Sequence, residues 1–407
     1  MIHRLTLRNF YSIRDPIDLN LEISGPPPEL PERYAKIHSD GRSFAPKVIG
    51  VYGPNAAGKS TLLRALSFVS WLIQHSFALR PEQALPTHRF NSERWREQPM
   101  EIGIEFSAPA DFARAVDPTV PRCRYAYTVV LGGGVDQPNR ILSESLVHWP
   151  PKASRRIRIF ERDESGLKTH AKSFRLAGFT KPLEKVLRPN VSLISTLVQL
   201  GHEESKFLSG LAMRMSWNIL LEKIEAADHI VAQQYMQNPE LIEALNLEIQ
   251  RLDFGITKMS VTKVGEHAFP TATFEHGGLA SPLPSSSESH GTRQFVRIFP
   301  HISQVLANGG IAVIDELDSS IHPLVLPEII RWFYDPKRNP NRAQLWFTCQ
   351  NPYLLTELTK EEIVFCEKDD TGCTTIFGLS SIKSVRRIDN YAKKYLGGAY
   401  GAVPHIG

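Results

Sequence analysis

One gapless motif constrains the fold of this chain more than any other feature. Residues 53–60 match the pattern G-x-x-x-x-G-K-[ST], with a short apolar run, Val48–Tyr52, before them and apolar residues at helical spacing from Lys59 to about residue 77. A buried strand, a glycine-rich turn and a helix are therefore predicted in the order that a phosphate-binding P-loop requires. The motif predicts an α/β fold built around this turn.

The residue types of the turn suit the binding of a nucleoside triphosphate. Glycines let successive backbone N–H groups point at phosphate oxygens, and the N-terminus of the following helix adds a partial positive charge. Lys59 is expected to reach the β- and γ-phosphates, and the hydroxyl of Ser60 is expected to bind Mg²⁺. The predicted ATP-binding residues of this segment are Gly53, Pro54, Asn55, Ala56, Ala57, Gly58, Lys59, Ser60 and Thr61. The alternative is a chance glycine-rich turn between a strand and a helix.

Two carboxylates follow a second apolar run. Asp315 and Glu316 come directly after Ile311–Ile314, so we expect them at the carboxyl edge of a sheet, where α/β folds bind their ligands. Asp315 is predicted to hold Mg²⁺ through water, and Glu316 is predicted to polarise the attacking water as general base. A strand that ends in solvated acids remains the alternative.

The composition excludes several classes of protein. With 47 basic and 43 acidic residues, the net charge of +4 is too small to indicate nucleic-acid binding by itself. The four cysteines show no C-x-x-C spacing, so a zinc site is not indicated. No apolar run approaches the roughly 18 residues of a membrane span. We expect a cytoplasmic protein that does not contact a membrane.

The pattern along the rest of the chain predicts one head assembled from both ends. A parallel core sheet flanked by helices is expected, with an antiparallel β lobe and an inserted short helical arm. The antiparallel strands are predicted at 101–106, 124–131, 141–149 and 156–161. Helical spacing fills residues 203–252, and a strand is predicted over 256–274. The predicted divisions are 1–200 for the N-terminal half of the head, 201–254 for the arm and 255–407 for the C-terminal half.

The residues after the second apolar run resemble a known family. Residues 315–323, DELDSSIHP, resemble the Walker B motif and D-loop of ABC-type ATPases. They match nearly every position of the D-E-[IL]-D-x-S-[IL]-H-P string of AAA-labelled, ABC-like phage-defence ATPases of the RloA and PARIS type. Residues 5–15 and 395–404 are similar to the N-terminal strand and the C-terminal tail of that group. The resemblance implies an ABC-type P-loop ATPase head that uses ATP and Mg²⁺ and forms a homodimer or a higher homo-oligomer.

A serine- and glycine-containing run precedes the last core helix before the Walker B motif. Residues 286–293 resemble the divergent S-x-G-T signature of these defence ATPases. In ABC proteins this element reaches across a dimer and binds the γ-phosphate held by the partner's P-loop, so the resemblance implies ATP contacts from Ser289 and Gly291. The alternative is a flexible loop whose serine caps a helix.

The switch position departs from the family pattern. Relatives usually carry histidine in a T-x-H-[ND] string, where this chain has Gln350. Glutamine can hydrogen-bond a phosphate or water but cannot accept a proton at neutral pH. The candidate catalytic set is therefore Glu316, Gln350 and the D-loop residue Asp318, and turnover is expected to be slow or dependent on a partner. No Q-loop can be assigned.

Three functions are compatible with these motifs. The first is the sensor or regulatory ATPase of an anti-phage defence system. Fewer than sixty residues follow Gln350, too few for a TOPRIM nuclease domain, so this function implies a separate effector protein, such as a nuclease encoded nearby.

The second is a short-armed DNA-repair or recombination ATPase, similar to RecF and SMC proteins, that clamps DNA. Two basic clusters could meet DNA, although such runs are more often solvated faces. They comprise Arg155, Arg156 and Arg158, and Arg386, Arg387, Lys393 and Lys394. The third, a transporter's nucleotide-binding subunit, would need an LSGGQ signature and a Q-loop, and it ranks last.

Overall fold

The strand before the glycine turn lies in the middle of the core sheet. The computed structural model describes the chain except residues 26, 28, 40, 112–118, 135–138, 152–154, 253, 264–268 and 405–407. Val48–Tyr52 is fully buried and pairs in parallel with Gln344–Thr348 on one side and Ile363–Lys368 on the other. The neighbours in this sheet are, in order, Met215–Trp217, Ile311–Ile314, Gln344–Thr348, Val48–Tyr52, Ile363–Lys368 and Thr374–Gly378. Only the last of these described strands runs antiparallel to its neighbour.

A second sheet forms the predicted antiparallel lobe. Its strands alternate buried and partly exposed residues, as Arg122–Gly132 shows most clearly, because one face packs on the core. Its described strands are, in order, Gly166–His170, Ile157–Asp163, Arg140–Trp149, Arg122–Gly132, Met100–Pro109, Ile2–Arg8 and Ile17–Asn20. The predicted fold class is therefore confirmed: a parallel core sheet built from both ends of the chain stands beside an antiparallel lobe.

The helix after the glycine turn lies between the two sheets. Leu62 and Leu66 of this helix, Lys59–His75, share one apolar core with Val51 of the core sheet and Ile102 of the lobe. The other described α-helices are Glu93–Arg96, Thr180–Val186, Leu193–Gln199, Glu203–Met213, Asp228–Met236, Pro239–Arg251, His290–Asn308, Val325–Tyr334 and Tyr391–Leu396. Short 3₁₀ helices lie at Pro31–Arg33, Ser76–Ala78, Lys172–Phe174, Ser285–Ser287, Pro352–Glu357 and Leu379–Ser381. None of the helices described has the length and apolar character to cross a membrane.

The stretch predicted as helical over 203–252 is interrupted. Glu203–Met213 is a helix that contacts the P-loop helix, but Met215–Trp217 is a strand that pairs in parallel with Ile311–Ile314. Helical spacing was overridden here by hydrogen bonding to a distant strand. The helices Asp228–Met236 and Pro239–Arg251 follow only after a non-helical segment. The helix prediction is therefore wrong from 214 to 227, and the three-part division of the chain stays a prediction.

The strand predicted over 256–274 is a hairpin. Ile256–Thr262 pairs antiparallel with Thr271–His276, which also pairs with Leu283–Pro284. Residues 264–268 of the predicted strand lie outside the described residues. A small separate pair, Tyr34–Lys36 and Phe44–Pro46, lies in the segment before the P-loop.

Candidate nucleotide-binding site

Two glycines of the P-loop occupy positions where a side chain would collide with neighbouring strands. Gly53 has φ 147° and Gly58 has φ 101°, backbone conformations that L side chains rarely adopt. A Cβ at Gly53 would overlap the backbone carbonyl oxygen of Cys366, and one at Gly58 would overlap the side chain of Thr374. The P-loop is thus packed closely against the strands that contain Cys366 and Thr374.

Lys59 begins the helix and is folded back over the loop. Its Nζ donates to the carbonyl oxygens of Gly53 at 2.8 Å and Pro54 at 2.9 Å. Burial lowers the pKa of this ammonium from its usual value. The structure therefore places a partly desolvated cation against the turn, where a phosphate would compete with the two carbonyl oxygens for it.

Three oxygen-bearing side chains meet where the core strands end. Asp315 is 4% exposed, and its Oδ1 accepts hydrogen bonds from Ser60 Oγ at 3.0 Å and Thr348 Oγ1 at 2.7 Å. Mg²⁺ prefers such a sparse set of protein oxygens, because phosphates and water complete its octahedron. Among the described residues, no group of three His, Cys, Asp or Glu side chains converges on a metal position. Ser60 and Asp315 are thus adjacent and chemically suited to the predicted Mg²⁺.

The backbone at Glu316 has a positive φ, and the side chain is directed away from the buried strand. Its φ is 53°, its N–H donates to Thr348 Oγ1 at 2.7 Å, and its side chain is 47% exposed. Lys223 Nζ lies 2.6 Å from Glu316 Oε2. The candidate general base therefore has one oxygen in an ion pair and the rest of its carboxylate accessible.

Lys223 lies in the stretch whose spacing of apolar residues predicts a helix, although it is not helical in the structure. This segment is fixed by Asn218, whose side chain accepts from Asp315 N at 2.7 Å and donates to Asp315 O at 3.1 Å. No local motif marks Asn218 or Lys223. Only the pairing of Met215–Trp217 with Ile311–Ile314 brings them to the candidate site.

Asp318 connects the D-loop to the turn at the switch position, Gln350 and Asn351, by hydrogen bonds. Its Oδ2 accepts from the backbone N–H groups of Gln350 and Asn351, both at 2.9 Å. Gln350 itself is exposed. The carboxylate of Asp318 therefore positions the turn that presents Gln350, while a direct catalytic part for Asp318 stays a prediction.

One cavity of about 640 Å³ brings most of the predicted residues together. P-loop residues 55–61 line it, together with Glu316, Asp318 and Gln350. A space of this size is in the range that holds small ligands, roughly 300–1,000 Å³. Gly53 and Pro54 do not line it, and Asp315 reaches it only through Ser60 and Thr348.

Some residues that line this cavity were not predicted. They include Tyr11, Arg64, His88 and Phe90. The guanidinium of Arg64 lies 5.3 Å from the centre of the Tyr11 ring, a cation–π arrangement that presents flat surfaces on which a purine base could stack. Tyr11 lies within residues 5–15, which resemble the N-terminal strand of the phage-defence ATPases. Residues 88–90 come from a polar loop without any motif.

Ser289 and Gly291 lie apart from the cavity. Ser289 is exposed and caps the helix His290–Asn308, with its Oγ accepting from Thr292 N at 3.1 Å. A Cβ at Gly291 would come within 2.5 Å of the carbonyl oxygen of Ser320, so this glycine allows close contact with the D-loop. Within one copy, the structure does not bring this pair to the P-loop. The helix cap expected of the alternative is present, and the surface it forms is open.

Comparison with known protein families finds one match. Residues 48–118 and 132–356 match the family model described as AAA domain, putative AbiEii toxin, Type IV TA system. No curated protein matches the chain.

Three solved structures of SMC heads are similar to the chain. One, a head bound to the C-winged helix domain of ScpA, has 11% identity, a TM-score of 0.42, and coverage of 94% of this chain and 98% of its own. The head from Thermotoga maritima has 11% identity, a TM-score of 0.39, and coverage of 93% and 98%. A head with an extended coiled coil, bound to the C-terminal domain of ScpA derived from Pyrococcus furiosus, has 12% identity, a TM-score of 0.45, and coverage of 98% and 99%.

Proposed function

The chain belongs to the family of AAA domains described as a putative AbiEii toxin of type IV toxin–antitoxin systems, and we propose that it binds and hydrolyses ATP at a site shared by two copies of itself. The observation that carries the proposal is that the P-loop, Glu316 and Gln350 line one and the same cavity. This cavity is large enough for a nucleotide. It is lined by the predicted phosphate-binding loop, by the candidate base Glu316 and by the switch residue Gln350.

Binding is assigned to the P-loop and its two oxygen neighbours. The triphosphate would lie along the backbone N–H groups of residues 53–61, with Lys59 turned toward its β- and γ-phosphates. Ser60 would bind Mg²⁺ directly and Asp315 through water. Bound Mg²⁺ would neutralise phosphate charge. The base would stack on the ring of Tyr11, which lines the same cavity.

Hydrolysis is assigned to Glu316. Its exposed carboxylate would accept a hydrogen bond from the attacking water and take up its proton. Gln350 would orient the water or a phosphate oxygen, but its amide cannot accept a proton. Because Lys223 engages one oxygen of Glu316, we infer a slow basal rate that a partner or the second copy raises.

The positions of Ser289 and Gly291 within one copy support a site shared by two copies. Ser289 is exposed, and it stands at the N-terminus of a 19-residue helix, whose free N–H groups favour an anion. Contact between Gly291 and Ser320 joins this cap to the D-loop in one surface. That surface would close over the γ-phosphate held by a second copy.

Mass measurement with Glu316→Gln tests the ATP proposal. The amide keeps the shape of the side chain but cannot take a proton, so this variant should retain ATP and persist as a dimer. Light scattering with ATP should give twice the monomer mass for Glu316→Gln, and a monomer when Lys59→Ala is added. Glu243→Gln, at an exposed position, serves as the control. Normal turnover by Glu316→Gln would contradict the assignment of the base.

We further propose that the ATPase regulates a separate effector in anti-phage defence. The resemblance of residues 315–323 to phage-defence ATPases supports this role. Co-purification with the product of the neighbouring gene, with and without ATP, tests it. If that product binds neither state and its absence leaves phage resistance unchanged, the regulatory role fails while the ATPase assignment stands.

The alternative of a DNA clamp has no specific support. Several cations of the two basic clusters form ion pairs with neighbouring carboxylates, which leaves less free charge for phosphates. These pairs are Arg158 with Glu161, Arg387 with Glu361 and Lys394 with Asp389. Binding to duplex DNA that ATP strengthens and salt weakens would revive this alternative.

A further inference from the structure

A second cavity, of about 460 Å³, lies at the other end of the Walker B strand. It opens where Ile311–Ile314 begins, whereas the candidate nucleotide site lies where that strand ends. No residue lines both cavities. Its walls include Val69 and Ile73 of the P-loop helix, Ile104 of the lobe, and Leu208 of the helix Glu203–Met213. The interior is therefore lined largely by aliphatic side chains.

Three arginines at this cavity have no partner among the described carboxylates. Arg122, Arg214 and Arg342 line it, and none of the described Asp or Glu residues lines it or pairs with these three. Burial lowers the pKa of Arg122, and the charges of Arg342 and Arg214 lower it further. Like charges held together in this way favour an anion between them.

A buried hydroxyl beside Arg122 also has no hydrogen-bond partner among the residues that the structure describes. Ser107 is 4% exposed, and its Oγ makes no hydrogen bond within the described structure, although it lines the cavity. The carbonyl oxygen of the same residue accepts from Arg122 Nη2 at 2.7 Å. An unused donor next to a guanidinium completes a set of groups that could bind an oxyanion.

We propose that this cavity binds a small amphipathic anion, with a carboxylate or phosphate headgroup at Arg122, Arg214 and Ser107 and an apolar body against Ile104 and Leu208. The planar guanidinium matches either headgroup in a bidentate way. The apolar walls would remove the body of the ligand from water, and the volume is in the range of roughly 300–1,000 Å³ that holds small ligands. This site goes beyond the ATPase function and does not depend on it.

Calorimetry on the full chain without ATP tests the site. The probes are decanoate and decyl phosphate below their micelle concentrations, with decanol and inorganic phosphate as partial ligands. Decanoate, decyl phosphate or both should bind, and the tighter of the two identifies the headgroup. Decanol and inorganic phosphate should each bind at least about tenfold more weakly than the better probe, because each lacks half of the interactions. If neither amphiphile binds, or if decanol binds as tightly, the proposal is overturned.

Two pairs of variants locate the binding. Arg214→Leu removes a guanidinium that makes no hydrogen bond or ion pair in the described structure, and it should weaken binding by about tenfold. Leu211→Trp should fill the cavity and abolish binding. Their controls are Arg156→Leu, exposed on the lobe, and Met213→Trp, on the same helix as Leu211 but 63% exposed and outside the cavity. All four variants should melt like the parent chain, and unchanged binding by Arg214→Leu and Leu211→Trp would overturn the proposal.

Discussion

Lys223 Nζ lies 2.6 Å from Glu316 Oε2, although the two residues are 93 positions apart in the chain. This contact joins the candidate general base to a segment whose place depends on the pairing of Met215–Trp217 with Ile311–Ile314. Because one carboxylate oxygen is engaged by an ammonium, the base is expected to be less available to water than an unpaired glutamate.

Replacing Lys223 should therefore speed hydrolysis. Lys223→Met removes the ammonium but keeps much of the apolar stem. Since the Glu316 side chain is 47% exposed, the pair is worth no more than about 1 kcal/mol, and kcat should rise by roughly two- to fivefold. Steady-state phosphate release measures this effect. Lys206→Met, which breaks an exposed pair with Glu203 elsewhere, is the control, and a fall in kcat for Lys223→Met would show that the lysine assists the reaction instead.

The two glycines of the P-loop should respond differently to a compensating change. Gly58→Ala would collide with the side chain of Thr374, whereas Gly53→Ala would collide with the backbone of Cys366. Each substitution also carries backbone strain of about 1–3 kcal/mol, so both should weaken binding of a fluorescent ATP analogue about tenfold or more.

Adding Thr374→Ala should restore part of the affinity to Gly58→Ala and none to Gly53→Ala, because only the first obstacle is a side chain. Thr374→Ala alone provides the baseline, since Thr374 also donates to Ala57 O at 3.0 Å. Equal rescue of both glycine variants would contradict the close approach described for these strands.

Stability should fall as the pH drops below neutrality, and His3 should account for part of the slope. Burial lowers the pKa of His3 to about 3, with the charge of Arg124 adding to the effect. An unfolded histidine titrates near pH 6.5, so below that pH the unfolded chain binds a proton that the folded chain excludes. The resulting loss is roughly 1–2 kcal/mol between pH 7 and pH 5.

Denaturant melts of the parent and His3→Gln across this pH range measure that contribution. His3→Gln should lose stability less steeply with falling pH, whatever its absolute stability at pH 7. Burial also lowers the pKa values of His148 and His202, so a residual slope should remain. Parallel slopes for the two proteins would show that His3 is not excluded from protonation in the folded state.

The sequence was sufficient to predict the site residues that lie together in short contiguous motifs. The P-loop and the pair Asp315–Glu316 each follow a buried strand of their own. Their position can be predicted because α/β sheets bind ligands at the carboxyl ends of their strands. Lys223, Arg64 and Phe90 could not be placed in this way, because their positions depend on strand pairing and on a loop that carries no motif.

The error over Met215–Trp217 has the same origin. Met215 continues the apolar helical spacing, yet hydrogen bonds to Ile311–Ile314 decide the conformation of all three residues. A short edge strand of three residues leaves too few alternations for period-2 patterning to be detected. The prediction for Ser289 cannot be checked within one copy, because its predicted partner is the γ-phosphate held by a second copy of the chain.

Mixing two inactive variants tests the shared site most directly. Lys59→Ala disables the P-loop and keeps Ser289, while Ser289→Arg disables the cap and keeps the P-loop. In a mixed dimer, one of the two sites would combine the intact P-loop of one chain with the intact Ser289 of the other. Each variant alone should be inactive, and a mixture should recover part of the parent ATPase rate, at most about half of it, because a mixed twofold dimer carries one complete site of its two. Full activity of Ser289→Arg alone, or no recovery at any mixing ratio, would contradict a site built from two copies.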